Sequence, residues 1–197
     1  GWDFYVGALV GFVIVLIYII SGGFVAVVWS DVFQGTLMFL GLVILPFVGI
    51  AAAGGWGVVT EKLAAQDPGL LSAWGPDGFD TMTIFKTLSF LLIGIGFLGS
   101  PQIFVRYIAM RSEKEIPKGG AFAITYTLLS DSGAVLIGMV GRALYDYNAL
   151  GPAGEQVLPI MVEDLLPAVV VGIYVAIVLS AIMSSVDPLL VVAWSAF

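Results

Sequence analysis

The sequence predicts an all-α integral membrane protein with about five transmembrane helices. Hydrophobic residues make up 60% of the chain, charged residues make up 11%, and the mean hydropathy is +1.08. Soluble domains of ordinary composition do not reach these values. Several apolar stretches are also long enough to cross a bilayer, which takes about 20 residues in a helix.

The first two spans are predicted at residues 4–20 and 32–53. The pair Gly22-Gly23 is expected to end the first helix, because glycine is a poor helix former. Residues 24–31 are too few to cross the membrane again, so we expect a turn or an interfacial piece there. Pro46 lies inside the second span and is expected to kink it.

The other three spans are predicted at residues 83–105, 120–144 and 165–197, after a polar loop. Residues 94–101 of the third span contain three glycines and Pro101, which makes a continuous helix unfavourable. Apolar segments interrupted by glycine and proline are typical of transporter binding sites. The alternative is a helix that is only kinked or closely packed.

The composition excludes most enzyme chemistry. The chain has no cysteine and no histidine, so disulfides, thiol catalysis and histidine metal sites are absent. Asp31, Asp131 and Asp187 belong to three separate segments of the predicted topology, and no clustered acid and base set is expected. The net charge of −7 comes mostly from loops, and no polybasic surface is available for nucleic acid. We therefore expect neither an enzyme nor a cofactor.

A polar stretch near the end of the chain suggests a cation site. At helical spacing Ala181, Ser184 and Ser185 share one face, which would direct one carbonyl and two hydroxyl oxygens to one point. Such oxygens suit a hard cation such as Na⁺. Pro188 has no N–H for the Ser184 carbonyl, which leaves a further oxygen available. The alternative is that these serines bond back to their own helix or pack against a neighbour.

Three motifs resemble the sodium:solute symporter family. Residues 180–191, Ser-Ala-Ile-Met-Ser-Ser-Val-Asp-Pro-Leu-Leu-Val, are similar to the family's Ala-Ala-Ile-Met-Ser-Thr-Ala-Asp-Ser-Gln-Leu-Leu-Val helix. Residues 99–107, Gly-Ser-Pro-Gln-Ile-Phe-Val-Arg-Tyr, resemble Gly-Gln-Pro-His-Ile-Leu-x-Arg-Phe of its proline-type members. The family's Tyr-x-x-x-Gly-Gly-Phe/Leu-x-Ala-Val-x-Trp-Thr-Asp turn appears here as Tyr18, Gly22, Gly23, Phe24, Ala26, Val27, Trp29, Ser30 and Asp31.

The resemblance implies a fold and a function. The five spans would be the middle part of a leucine-transporter-like fold with two inverted repeats, so we expect an internal piece of a longer protein. The implied function is sodium-coupled symport of a small organic solute, such as proline or another amino acid, across the plasma (inner) membrane. Na⁺ is the coupling ion, and the expected partners are the solute, the lipid bilayer and the missing N- and C-terminal helices.

The resemblance also implies roles for individual residues. Ala181, Ser184 and Ser185 would bind sodium, and Asp31 and Asp187 would lie on the sodium path. For Asp31 the alternative is an ordinary N-cap of the second span. The implied solute gate consists of Gly94, Phe97, Leu98, Gly99, Pro101 and Gln102. Phe97 stands where the family often has a gating tyrosine, which leaves the solute undetermined.

Orientation and three other functions stay open at this stage. Four of the seven basic residues lie in one short loop, which predicts that this loop faces the cytoplasm. They are Arg106, Arg111, Lys114 and Lys118. The other functions are a symporter-like sensor module of a signalling protein, an intramembrane enzyme, and a packing subunit of a larger complex. No family pattern assigns a role to Asp131.

Overall fold

The computed structural model describes residues 4–75 and 78–195, and the regular structure in this part of the chain is helical. The α-helices are α1 (Phe4–Ala53), α2 (Trp56–Gln66), α3 (Thr81–Leu98), α4 (Pro101–Ile108), α5 (Ile116–Leu144), α6 (Val157–Leu165) and α7 (Ala168–Ser195). Short 3₁₀ helices cover Pro68–Leu71, Glu113–Glu115 and Tyr147–Leu150. No strand occurs in the described ranges, which agrees with the predicted all-α class.

The described helices include three that are long and apolar enough to cross a membrane. They cover Tyr5–Ala53, Glu113–Leu144 and Ala168–Ala193, and Thr81–Phe97 is a shorter apolar helix. The division of the chain into five spans stays a prediction, because length and composition alone do not set the number of crossings.

Helix α1 bends at Gly23, close to the break that the sequence predicts. Gly23 has φ 58° and ψ −154°, a backbone conformation that glycine adopts and L-residues avoid. The chain is helical again directly after it. Residues 24–31, for which we expected a turn or an interfacial piece, therefore belong to the second part of α1. These eight residues are too few to form a span alone, but their helix continues into the next apolar stretch.

The third predicted span is interrupted at Gly99 and Ser100. Helix α3 ends at Leu98 and α4 begins at Pro101. Ser100 has an extended conformation with ψ 137°, as the proline ring requires of the residue before it. Gly94 lies inside α3 and is helical. The interruption is therefore shorter than the predicted interval of 94–101, and proline sets its position.

The chain divides into two compact units, which are described separately. The first unit contains the described parts of residues 1–41 and 172–197, and the second unit contains residues 42–171. In the first unit the Tyr174 hydroxyl donates a hydrogen bond to the Gly41 carbonyl at 2.8 Å. Both residues are buried. This bond joins α1 and α7 within the first unit.

Glycines allow the helices of the second unit to pack closely. A Cβ atom on Gly49 would lie 2.6 Å from both Met161 Cε and Val140 Cγ1. A Cβ atom on Gly133 would lie 2.4 Å from the carbonyl oxygen of Leu42, which is a backbone atom. Close approach of helix backbones through small residues is the usual means of association in membranes. Hydrophobic side chains of α2, α5 and α6 are buried around these contacts, namely Val59, Leu63, Ile137, Val140, Met161 and Val162.

The segment between α5 and α7 is partly helical. It contains Tyr147–Leu150 and α6, which buries Val157, Met161 and Val162. The Tyr145 hydroxyl donates a hydrogen bond to Asp164 Oδ2 at 2.8 Å. Burial, together with this bond and the charge of Asp164, raises the pKa of Tyr145 to about 12. The tyrosine is therefore neutral and able to donate at physiological pH.

Replacement of Gly133 by alanine should destabilise the full-length protein. Its Cβ would meet the Leu42 backbone, which has no side-chain rotamer to adjust, so we expect a loss of about 1–3 kcal/mol. The matched control is Gly138→Ala on the same helix, where no atom lies within 4 Å of the added Cβ. Thermal unfolding of both purified variants measures the difference. Equal melting temperatures for Gly133→Ala, Gly138→Ala and wild type would contradict this account of the packing.

Candidate sodium and solute site

The three residues predicted to bind sodium are brought together on α7. The Ser184 hydroxyl donates a hydrogen bond to the Ala181 carbonyl oxygen at 3.0 Å, and the Ser185 hydroxyl donates to the same oxygen at 3.1 Å. Ser184 Oγ also lies 4.0 Å from Met38 Sδ of α1. Two hydroxyl oxygens and one carbonyl oxygen therefore lie around one point of the helix surface.

These hydrogen bonds match the alternative in which serines bond back to their own helix. A hydroxyl that donates its proton still has two lone pairs, so both serine oxygens keep the capacity to ligate a cation. The Ala181 carbonyl is different because it already accepts from both hydroxyls. For this oxygen to act as a third ligand, at least one of the two hydroxyls has to turn away.

A buried carboxylate lies next to this face. Asp187 is 0% exposed, and the Tyr18 hydroxyl of α1 donates a hydrogen bond to Asp187 Oδ1. The other oxygen, Oδ2, is buried and has no hydrogen-bond partner among the described residues. The Tyr18–Asp187 pair connects positions 169 residues apart in the sequence and joins α1 to α7 within the first unit.

The surroundings of the Tyr18–Asp187 pair are polar but contain no positive charge from this unit. The side chains of Ser30 and Gln34 lie within interaction range of the Tyr18 hydroxyl. Gln34 is 6% exposed, and its Oε1 has no hydrogen-bond partner in the described part of the chain. Residues 1–41 and 172–197 contain no lysine, arginine or histidine. The buried carboxylate therefore has no basic side chain of its own unit to neutralise it.

The position of Asp31 in α1 differs from the one that the N-cap alternative requires. It lies inside α1, eight residues after the bend at Gly23, and not at a helix N-terminus. The N-cap interpretation is therefore wrong. Asp31 is half-buried and follows Ser30, one of the side chains near Tyr18.

The predicted gate residues belong to the second unit. Gly94 lies within α3, and the other five lie at or directly beside the break between α3 and α4. Phe97 is 60% exposed, and an added Cβ on Gly94 would meet no atom within 4 Å. Gly99 and Ser100 form the non-helical link, and Pro101 begins α4. The side chains of Leu98 and Gln102 lie outside the described residues. At the break the N–H groups of Gly99 and Ser100 donate to the carbonyls of Gly96 and Phe97 at 3.2 and 3.1 Å, so part of the backbone there is paired in short turns.

The sequence does not predict two features of the first unit, which are the pairing of Tyr18 with Asp187 and the burial of the Gln34 amide. In the sequence, Tyr18 stands out only as part of a family motif. A signal for Gln34 was present, because a polar side chain within a long uncharged apolar stretch must face protein or water.

These features define a class of protein. Long apolar helices and a helix broken at a Gly-Ser-Pro sequence are typical of secondary transporters. In residues 4–75 and 78–195, no group of three or more His, Cys, Asp or Glu side chains comes together. The comparison with known families agrees with this class. The family model of the sodium:solute symporter family matches residues 1–197, and the chain belongs to that family.

Named relatives give a consistent result. The chain is 30% identical over 196 residues to the high-affinity proline transporter PutP of Bacillus subtilis (strain 168), with 99% of this chain covered. It is 29% identical over 197 residues to the osmoregulated proline transporter OpuE of the same organism, with 100% covered. It is 31% identical over 196 residues to a sodium/proline symporter of Staphylococcus aureus (strain bovine RF122 / ET3-1), with 99% covered.

The chain spans 40%, 39% and 37% of the lengths of these three relatives, respectively. No solved structure matches it significantly. The predicted membership of the family is confirmed, whereas the inverted-repeat fold stays a prediction. The family and the relatives are named for transport, which agrees with the expectation of a protein that is not an enzyme. The comparisons give no support to the sensor module.

Loss of the Tyr18–Asp187 hydrogen bond should weaken the first unit. Tyr18→Phe removes a donor to a carboxylate, which we expect to cost about 1.5–3 kcal/mol. The matched control is Tyr174→Phe, which removes a donor to a neutral carbonyl and should cost about 0.5–1.5 kcal/mol. Unfolding of the full-length variants gives both values.

A double-mutant cycle isolates the interaction between the two side chains. Tyr18→Phe combined with Asp187→Asn should show a coupling of about 0.5–3 kcal/mol, because the two residues share one bond. Strictly additive effects of the two substitutions would show that the bond contributes nothing to stability.

Proposed function

We propose that the full-length protein is a sodium-coupled symporter of a small organic solute, and that proline is its solute. Membership of the sodium:solute symporter family supports the class of transport. The choice of proline rests on the relatives, which are named as proline transporters and sodium/proline symporters. The location that follows is the plasma (inner) membrane, crossed several times, with the basic loop at 106–118 on the cytoplasmic side.

The observation that carries the proposal is the group of three oxygens on α7. Ser184 and Ser185 place their hydroxyls within 3.1 Å of the Ala181 carbonyl. Oxygen ligands without nitrogen or sulfur suit a hard cation. We assign the two serine hydroxyls as sodium ligands and Ala181 as the third, available after one hydroxyl turns. The remaining ligands would come from helices of the protein outside this chain.

The charge of the first unit favours a cation at this position. Asp187 is fully buried, three residues after Ser184 on the same helix, and no basic residue occurs in its unit. A sodium ion on α7 would be attracted by this carboxylate in a medium of low dielectric constant. We place Asp187 and Asp31 on the path of the ion and not among its main ligands.

The break between α3 and α4 is the proposed solute gate. Half-helices that end within the membrane present unpaired backbone groups, which bind polar solutes away from water. The exposed ring of Phe97 would stack over a small solute, and it has no hydroxyl to donate a hydrogen bond to it. Gly99 and Ser100 supply the short non-helical link at which the two helix segments can change their angle.

Coupling of the two sites requires no cofactor. Sodium and solute each stabilise the same conformation, so that binding of one increases the population that binds the other. The membrane potential supplies energy in addition to the sodium gradient. One elementary charge that crosses 100 mV gains about 2.3 kcal/mol.

The proposal is tested by uptake of labelled proline into vesicles that contain the full-length protein. An inward sodium gradient should drive accumulation, whereas an equal potassium gradient should not. Ser185→Ala removes one ligand oxygen, which we expect to cost about 1–3 kcal/mol of sodium binding. The sodium concentration for half-maximal uptake should therefore rise roughly 5- to 100-fold. Proline affinity at saturating sodium should change much less.

The matched control is Ser180→Ala on the same helix, since Ser180 is not one of the proposed ligands. This variant should keep the sodium dependence of wild type. If Ser184→Ala and Ser185→Ala both kept it as well, the two hydroxyls would be packing groups and the sodium assignment would be wrong. Uptake that does not respond to sodium in the wild type would overturn the proposed function itself.

A further inference from the structure

A cavity of about 490 Å³ lies in the second unit, and none of the predicted gate residues lines it. It is bounded by α5 and by the turn that leads to α6, and all of its lining residues belong to the second unit. Sites for small molecules usually have volumes of about 300–1,000 Å³ and mostly apolar walls with a few polar groups. The cavity has this size and this kind of wall.

One face of α5 forms a wall of the cavity. Ala134, Gly138 and Arg142 line it at four-residue spacing, which places them on the same side of the helix. Gly138 leaves space, because an added Cβ would meet no atom within 4 Å. Leu150 and Val157 from the following turn and α6 are buried beside the cavity and make part of its surface apolar.

Arg142 places a positive charge on the cavity, and the hydrogen-bond donors of its guanidinium group are not all paired. Its guanidinium carbon lies 4.6 Å from the centre of the Tyr147 ring, and its Nε is buried without a hydrogen-bond partner in the described part of the chain. A basic residue in the last turn of a helix also interacts favourably with the helix dipole. That role explains the charge but leaves the buried Nε without an acceptor.

Glu155 supplies a negative charge on the same cavity. Its Oε2 accepts a hydrogen bond from the Ala153 N–H at 2.9 Å, which fixes the carboxylate in the turn. The carboxylate lies over Gly151, where an added Cβ would be 2.7 Å from Oε1. Gly151 has φ 82°, a backbone conformation that favours glycine at this position.

Arg142 and Glu155 line one cavity without forming a direct ion pair. No ion pair within 4.0 Å joins Arg142 to Glu155, although both side chains belong to the described residues. A ligand with a negative and a positive group would bind between them. Arginine holds carboxylates through paired hydrogen bonds, and a carboxylate such as that of Glu155 accepts strong hydrogen bonds from ammonium groups.

We infer that this cavity binds a free amino acid in its zwitterionic form, with the ligand carboxylate on Arg142 and its amino group on Glu155. It would be a second binding position, distinct from the α3–α4 break. The inference rests on the proposed function for the identity of this amino acid, which we take to be proline.

Equilibrium binding of labelled proline to the purified full-length protein at saturating sodium tests the inference. Wild type should bind two prolines per protein. Arg142→Gln and Glu155→Gln should each weaken one of the two binding events at least tenfold, because each removes one charged partner. Gly138→Leu should have the same effect by filling the cavity while both charges remain. The matched controls, Arg111→Gln and Glu163→Gln, lie outside the cavity lining and should bind as wild type does.

Analogues of proline separate the two charges. Proline amide lacks the carboxylate and N-acetylproline lacks the positive charge, so neither should compete at the second position. A single proline per wild-type protein, or unchanged binding in Arg142→Gln, Glu155→Gln and Gly138→Leu, would overturn the inference. Sodium-driven proline uptake in the same preparations would then leave the proposed function intact.

Two further outcomes would also overturn the inference. The first is an effect of the substitutions that appears only when vesicles contain phosphatidylethanolamine, which would assign the cavity to a lipid headgroup. The second is the absence of any proline binding to wild type. Sodium-dependent uptake of another solute would in that case preserve sodium coupling and remove proline as the solute.

Discussion

The burial of the Asp187 carboxylate in a unit without basic residues is the constraint on which the first unit depends. An uncompensated buried charge costs several kcal/mol, and a single tyrosine hydroxyl offsets only part of this. The bond from Tyr18 satisfies one carboxylate oxygen and leaves the other without a partner. A cation near α7 would complete the compensation. The same hydrogen bond joins the first part of α1 to the second half of α7. It therefore both contacts the buried carboxylate and holds the two helices together.

The second unit depends on a different constraint, the close approach of helices through glycine. Gly49 and Gly133 leave no room for a side chain, and this packing holds α5 in place. A rigid α5 in turn supports the cavity wall that carries Arg142. By contrast, α3 and its glycines are largely exposed in the described chain, and an added Cβ on Gly94 or Gly96 would meet nothing within 4 Å. Among the described residues, Gly94 and Gly96 therefore make none of the close contacts that Gly133 of α5 makes.

Local sterics explain what the sequence predicted well. Pro101 determines the conformation of the residue before it, and the bend at Gly23 uses a conformation open to glycine. The convergence of Ser184 and Ser185 on Ala181 follows from helical spacing alone. The sodium role of these residues stays a prediction, because the hydrogen bonds within α7 are compatible with either interpretation.

What the sequence could not predict depends on contacts between distant segments. Tyr18 and Asp187 are far apart in the chain, and no local pattern pairs them. Residues 24–31 are too few to cross the membrane alone, which predicts a turn. They are helical because they are continuous with the residues that follow. Helix α6 lies almost entirely outside the predicted spans, although Val157 and Met161 are apolar at a spacing of four and are buried. No local pattern predicts that Arg142 and Glu155 line the same cavity, because this depends on the turn at Gly151.

Direct binding of radioactive sodium to the purified full-length protein, without solute, tests the central claim that α7 carries a sodium site. Wild type should bind sodium saturably, and the double variant Ser184→Ala/Ser185→Ala should bind it at least tenfold more weakly while its melting temperature without sodium stays close to that of wild type. Tenfold corresponds to about 1.4 kcal/mol, within the range expected for lost oxygen ligands. Sodium affinity equal to that of wild type in the double variant would contradict the account.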